Sequence, residues 1–253
     1  MQVDAARGTG RVAVVEHDGG HTFVIEPDQA YDHVAAEPAL QQAAAYAGSV
    51  PAWLYFGTLA LRGPQSRAAL HALRGALRGP TFVDFNWRDA GPAWPLALDA
   101  IAGVTVLKVS AEELAALLAQ LELPDADAAR PAHAGEERGA IRALMARLRI
   151  GRLLVTCGAD GAMLWSADGR CAIHAPAAAV PRMQDTVGAG DAFSAMALAG
   201  LMTGAPLERL MRDATAFASA LCGVRGALPG GADFYRPWRT AGHEQRIAQD
   251  VDA

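Results

Sequence analysis

Two kinds of hydrophobic spacing alternate along most of this chain. Short runs are apolar throughout and end in glycine or polar residues, as in Ala-Trp-Leu-Tyr-Phe at 52–56. Longer runs place apolar residues three and four apart, as at Ala69, Leu70, Leu73 and Leu77. The first pattern suits a strand buried on both faces and the second an amphipathic helix. Read in order, the pattern predicts helix 39–46, strand 52–56, helix 66–77, strand 81–85, helix 93–101, strand 104–109 and helix 110–121. A Pro-, Asp- and Ala-rich loop follows at 123–137, then helix 140–148 and strand 152–156. Ser110 with Glu113 three residues on has the form of a capping box. Runs 161–166 and 170–174 flank Ala167-Asp168-Gly169 and read as a hairpin. An apolar helix begins near residue 192, and 207–225 is mostly helical. Strands alternating with helices predict an α/β fold, a doubly wound and mainly parallel sheet with helices on both faces.

The start of the chain differs. Runs 11–16 and 21–26 are separated by His17-Asp18-Gly19-Gly20, a hairpin signal. Lying before any helix, this hairpin reads as an appended sheet; the alternative is an edge hairpin of the main sheet. The chain divides into a β segment at 1–34, an α/β core at 35–235 and a polar tail at 236–253 that is expected to fray.

Composition narrows the partners. With 253 residues, 52% hydrophobic and 19% charged, the chain fits one large globular domain. The net charge of −5, with no basic run, argues against nucleic acid. Three cysteines without a CxxC pair suit a reducing cytoplasm. Met1-Gln2-Val3-Asp4 has no signal-peptide character, and no apolar run reaches membrane-spanning length, so no membrane partner is expected. The histidines are scattered, and no transition-metal site is expected.

The candidate chemistry centres on Asp185-Thr186-Val187-Gly188-Ala189-Gly190-Asp191, directly before the apolar helix. Small residues and glycines let the main chain approach a ligand closely, and a helix N-terminus makes an anion site from its free amides. Asp191 stands at the rim of that site, where a carboxylate suits accepting the proton of a hydroxyl that attacks a phosphoryl group. An Asp-capped turn before a core helix would use the same residues. Three other polar strand ends fall on the same rim of a doubly wound sheet. They are Asp84-Phe85-Asn86-Trp87-Arg88, Lys108-Val109-Ser110-Ala111-Glu112-Glu113 and Thr156-Cys157-Gly158-Ala159-Asp160-Gly161. Taken singly, Asn86 and Arg88 also fit a turn and a solvated charge, Glu113 a cap, and Gly158 and Gly161 a turn. Thr215 fits packing, and Trp87 and Trp94 fit core or rim aromatics.

Asp185 through Phe193, Asp-Thr-Val-Gly-Ala-Gly-Asp-Ala-Phe, resembles the C-terminal signature of the ribokinase-like (PfkB) sugar kinases. The likeness runs over almost all of 1–235. Asp84-x-Asn86-x-Arg88 with Trp94, Tyr55-Phe56-Gly57-Thr58-Leu59 and Thr9-Gly10-Arg11-Val12 resemble the fructokinase-type branch. The resemblance implies a ribokinase-like fold with a small β lid near the N-terminus, and ATP-dependent phosphorylation of a sugar hydroxyl on a fructose-like ketose or furanose. It implies Asp191 as the base, with the amides of Gly188, Ala189 and Gly190 as the anion hole. Thr156, Gly158 and Gly161 match the nucleotide loop, and Thr215 and Gly226 count among the nucleotide contacts. Asn86 and Arg88 would contact the substrate. Glu113 would organise Mg²⁺ through water, and Asp185 with the Val187 carbonyl would hold a monovalent cation such as K⁺. A homodimer through the lid is implied too. The signature also belongs to nucleoside and keto-deoxy sugar acid kinases, and a nucleotide-binding protein without turnover is the other alternative.

Two departures stand out. Ser110 occupies the place of the family's Asn in Asn-x-x-Glu. Members also usually open with a strand, a sugar-binding Asp, a Gly-Gly segment and an Asn, and residues 1–9 supply none of these. The expectation is that a βαβ unit's worth of sequence, ~30 residues or more, is absent.

Overall fold

The computed structural model describes residues 2–17, 20–46, 52–88, 91–125, 127 and 130–239. Its centre is a six-stranded sheet in the order β3 (Leu54–Gly57), β4 (Thr81–Asp84), β5 (Val106–Ser110), β6 (Arg152–Thr156), β7 (Ala162–Ser166) and β8 (Cys171–Ala175). β3 to β6 pair in parallel, and β7 and β8 are added antiparallel. The connecting helices are α1 (Ala36–Tyr46), α2 (Pro64–Ala76), α3 (Trp94–Ile101), α4 (Ala111–Gln120) and α5 (Gly139–Leu148). After the sheet come α6 (Ala189–Met202), α7 (Leu207–Leu221) and the short α8 (Ala232–Tyr235).

Alternation along each strand sends successive side chains to two separate cores. Val83, Leu107, Leu153 and Val155 face one way, into a cluster with Leu70, Ile101, Leu114, Leu117, Ile141 and Leu144 from α2 to α5. Phe82, Val106 and Leu154 face the other way, against Phe193 and Ala197 of α6 and Leu210, Met211 and Ala214 of α7. This is the doubly wound α/β architecture expected from the alternating pattern. Asp84 and Lys108 lie two residues beyond Phe82 and Val106, so the same alternation aims both at the α6 layer.

Local signals explain the helix boundaries. Pro64 occupies the first turn of α2, where its missing N–H costs nothing. Ser110 caps α4, accepting from the Glu113 amide, and the Glu113 carboxylate returns to the Ser110 amide, completing the box. α5 ends at Arg149 with φ 54°, a left-handed C-cap.

β1 (Val12–His17) and β2 (Gly20–Ile25) pair antiparallel as a sheet of their own, not as an edge of the main one. Residues 18 and 19, on which the turn reading falls, lie outside the described residues. Behind the hairpin, buried Asp32 takes two hydrogen bonds from Arg62, at 3.0 and 2.6 Å, which tie this segment to the start of α2. At the other end, Arg236–Trp238 form a 3-10 turn with Trp238 against Phe217; most of the tail, 240–253, lies outside the described residues.

Phe193, 1% exposed, is the main apolar anchor of α6 on the sheet. Phe193→Ala is expected to cost about 3–5 kcal/mol, read by urea unfolding with an unchanged m-value.

Candidate functional site

The carboxyl ends of β3 to β6 and the N-terminus of α6 share one rim. A cavity of about 600 Å³ opens there, lined by Thr156, Gly158 and Gly161 at the end of β6, by Ala189 and Gly190 of α6, and by Thr215 of α7. The small-residue run Ala177, Ala178, Ala179 and Val180 forms another part of its wall, and Glu112 and Met183 also line it. Gly161 has φ 91°, and a Cβ there would stand 2.1 Å from the Ala175 carbonyl oxygen, so the turn into β7 admits only glycine. Thr215 is 4% exposed, and its Oγ1 has no hydrogen-bond partner among the described residues. An unpaired buried hydroxyl is costly in a purely packing position. Its place on the cavity wall gives it something to meet.

The loop 185–191 is held by its own carboxylate. Asp185 Oδ1 accepts from the Val187 amide and Oδ2 from the Gly226 amide, both at 3.0 Å. These bonds hold the Asp185 carboxyl below its ordinary range, the Val187 amide foremost. The Cys222 carbonyl also takes the Gln184 and Asp185 amides, at 2.9 and 3.3 Å, so 184–188 and 222–227 are laced together. Gly188 caps α6 with φ 83°, its Cα packed so closely on Ala227 that a Cβ would stand 2.8 Å from the alanine Cβ. Ala189 turns its amide to the Thr186 carbonyl at 3.2 Å. Among the described residues the amides of Gly188, Gly190 and Asp191 donate to nothing. These are the free donors at the helix N-terminus, where the dipole also favours an anion. The Asp191 side chain is exposed beside them, with no hydrogen bond or ion pair among the described residues.

Glu113 is committed differently. Its Oε2 accepts the Ser110 amide at 2.7 Å and its Oε1 the Trp87 amide at 2.6 Å. One carboxylate therefore closes the cap of α4 and fastens the loop after β4 to it. Trp87 is stacked on Trp94 with 4.3 Å between centroids, and both pack on Phe85 as rim aromatics of the core. Asn86, between them and β4, has φ 40°, while Arg88 is exposed and has no ion pair among the described residues. Asn86 and Arg88 do not line the 600 Å³ cavity; they stand on the same rim toward β3.

Under the loop lies a buried ionic cluster. Lys108 Nζ donates to Asp84 Oδ1 and Oδ2 at 3.1 and 3.3 Å, and Ser194 Oγ donates to Oδ2 at 2.8 Å. Tyr55 stands nearby on β3 with its ring 5.7 Å from that of Phe82. Its phenol is pushed up to about 12, first by burial and then by the charges of Asp84 and Asp191, so it stays a neutral donor. Burial also pushes the Cys157 and Cys171 thiols up to about 11, which removes them as nucleophiles at neutral pH.

The sequence model of the pfkB family carbohydrate kinases matches residues 1–231. The chain belongs to that family. It is 35% identical over 88 residues to the ketohexokinase of Mus musculus, a stretch that takes in 34% of this chain and 29% of that protein. Among solved structures it is similar to a fructokinase from Vibrio cholerae O395, bound to fructose, ADP and calcium ion, with 23% identity and TM-score 0.63 over 92% of this chain and 74% of that one. An adenosine kinase from Sinorhizobium meliloti is similar at 20% identity and TM-score 0.66, over 91% of this chain and 66% of that one. A ribokinase from Thermotoga maritima gives 16% and 0.65, over 93% and 71%. At these identities the structural likenesses establish the ribokinase-like fold and nothing finer.

The sequence-expected residues are gathered on one rim but in different states of engagement. Gly188, Gly190 and Asp191 are free, Ala189 is turned away, and Asp185 and Glu113 have both oxygens on amides. The donor set fits a polyphosphate: unpaired main-chain amides, small walls and an unpaired Thr215 hydroxyl. It fits a divalent ion only through water, because the described residues contain no group of three or more acidic, His or Cys side chains able to hold one. Sequence reasoning put Asp84 and Lys108 on the rim without pairing them and passed over Ser194; the available signal was one charge toward the carboxyl end of each of two apolar strands.

Glu113→Ala would strand the Ser110 and Trp87 amides. A loss of about 1–3 kcal/mol in urea unfolding is expected, with Glu113→Gln recovering part of it through one retained acceptor.

Proposed function

We propose that this family member transfers the γ-phosphoryl group of ATP to a hydroxyl of a sugar or similar polyol, with Asp191 as the base. The observation that carries this reading is the uncommitted Asp191 carboxylate beside the free amides of Gly188, Gly190 and Asp191. Asp84 is spent on Lys108, and Glu113 and Asp185 on amides; Glu112 and Asp160 are also exposed and uncommitted, but neither is on the 185–191 loop.

In this reaction an acceptor oxygen forms a bond to the γ-phosphorus as the bond to the ADP oxygen breaks, and the acceptor proton passes to Asp191. The chain's own contribution is placement and charge. The amides of Gly188 and Gly190 hold the oxygens of the moving group where negative charge develops. The cavity between the 158–161 turn, the 177–180 run and Thr215 takes the nucleoside end, and Asn86 and Arg88 face the acceptor side. Mg²⁺, when bound, neutralises phosphate charge, with Glu113 reached through water. A K⁺ ion would draw on the outer lone pairs of Asp185 and the Val187 carbonyl. A fructose-like ketose or furanose is the acceptor we favour, supported by Asp84-x-Asn86-x-Arg88 and the ketohexokinase likeness; nucleosides and keto-deoxy sugar acids are the competing classes. The reading places the protein in the cytoplasm, in keeping with its free thiols; no helix among the described residues is long and apolar enough to cross a membrane.

The second reading is nucleotide binding without turnover. It is favoured by Glu113 and Asp185, whose oxygens already hold the loops.

Acceptor-dependent ADP release, measured across a panel of ketoses, furanoses and nucleosides, separates these readings. Asp191→Asn is expected to lower kcat by about 10²- to 10⁴-fold with little change in ATP affinity. Equal turnover of variant and wild type would remove Asp191 as base. ATP binding with no turnover of any acceptor would establish the second reading.

Val15 and Val24 share one face of the hairpin and are 49 and 47% exposed, on strands that pair with no other sheet among the described residues. Pairing with a second copy through this lid would cover them. Light scattering is expected to give a dimer that Val15→Lys with Val24→Lys converts to monomer without loss of the cooperative thermal transition.

A further inference from the structure

The Lys108–Asp84–Ser194 cluster has no part in the transfer as written above, yet it is among the least solvent-exposed polar groups of the protein. Asp84 is 2%, Lys108 6% and Ser194 0% exposed. Burying two opposite charges carries a desolvation cost that their attraction only partly offsets, and an apolar pair would fill the same space at less cost. Its geometry gives the pair a direction. Both carboxylate oxygens of Asp84 are turned to Lys108, and one also takes Ser194 from the second turn of α6. The ammonium lies toward the loop: a Cβ built on Gly190 would stand 3.2 Å from Nζ. Beyond Gly190's chain neighbours and the helix's own backbone, no other heavy atom comes within 4 Å of that point.

Gly190 itself supports this. Gly188 needs glycine because its φ is positive, but Gly190 has ordinary helical backbone. A Cβ there would instead crowd the ammonium, which would have to give way by a few tenths of an ångström. The amide of the same residue points out of the helix start, free of any protein acceptor. A buried cation, paired with Asp84, therefore approaches the residue that carries an unpaired donor of the anion site.

We propose that Lys108 is a positioning residue for the transferring phosphate. Asp84 and Ser194 hold its ammonium behind Gly190, fixing the first turn of α6 and presenting the positive end of a buried dipole to the anion. The inference rests on the phosphotransferase reading of the site. A fixed charge in a water-excluded setting acts strongly and needs no reorganisation as the reaction proceeds.

The test uses the full chain as wild type, as the double variant Lys108→Met with Asp84→Asn, and as Ser194→Ala. The double variant removes both charges together, so neither is left buried alone. It is expected to unfold cooperatively, with ATP affinity about 10-fold weaker, adenosine affinity within about 2-fold, kcat about 30-fold lower and acceptor KM within about 3-fold. A merely structural role would weaken ATP and adenosine alike. That outcome overturns the proposal, as does ATP affinity and kcat within about 3-fold of wild type. Should the double variant not fold, Ser194→Ala decides, since it keeps both charges and cuts only the tie to α6. An ATP affinity about 3-fold weaker, with adenosine unchanged and a near-native unfolding temperature, upholds the proposal; unchanged ATP affinity overturns it. A wild type that binds ATP but phosphorylates no acceptor ends the kinase reading, while the comparison of ATP with adenosine still decides the role of Lys108.

Discussion

The ion pair between Lys108 and Asp84 marks the point where the sheet stops excluding charge. β4 and β5 are buried on both faces by helices, so neither tolerates an unpaired polar side chain along its length. Charge enters only where it is paired, at the last residue of β4 and the middle of β5. The parallel register makes Asp84 and Lys108 direct partners, which brings the two charges side by side on one face. That is the face of Phe82 and Val106, against which α6 must seat Phe193. The helix comes down on the pair with Ser194 over the carboxylate and Gly190 over the ammonium. Where the loop before α6 stands is thereby set by the strands beneath it.

The acidic groups around this loop divide sharply by what they hold. Asp84 answers a buried cation and a hydroxyl. Glu113 answers two amides from two segments, and Asp185 two amides from the loop and from the 226 turn. Glu113 and Asp185 each fix stretches of main chain whose amides would otherwise lack an acceptor, and Asp84 fixes two side chains. Asp191 fixes nothing. Its lone pairs stand open in front of unpaired amides, and as the acidic residue of the first turn of α6 it adds to the fold only the ~0.3–1 kcal/mol of a helix-dipole contact.

Much of this was legible in the sequence because it rests on local signals. Helix–strand alternation, the apolar core faces and both halves of the Ser110–Glu113 box follow from spacing within a few residues. The glycines at 158, 161 and 188 announced turns, and all three have positive φ. The parts that escaped are long-range. Ser194 reaches Asp84 across 110 positions, and Glu113 reaches the Trp87 amide across 26. No periodicity encodes such pairings. Thr215 read as packing because it stands on the buried face of α7, and only the cavity beside it reveals an unpaired hydroxyl. The turning of the Ala189 amide to the Thr186 carbonyl is a matter of backbone direction, invisible to a motif that counts residues.

The two glycines of Gly188-Ala189-Gly190 look alike in sequence and differ in cause. The first satisfies a left-handed cap and close packing on Ala227, constraints internal to the loop. The second satisfies a constraint from below, the approach of an ammonium from a strand 82 positions earlier (190 − 108). Alanine at the first would strain the chain itself, whereas alanine at the second would press on Lys108 and through it on Asp84. A glycine-rich loop is usually explained by what it must admit from above. Here the main chain is crowded from the protein side too, and the group that crowds it carries the charge.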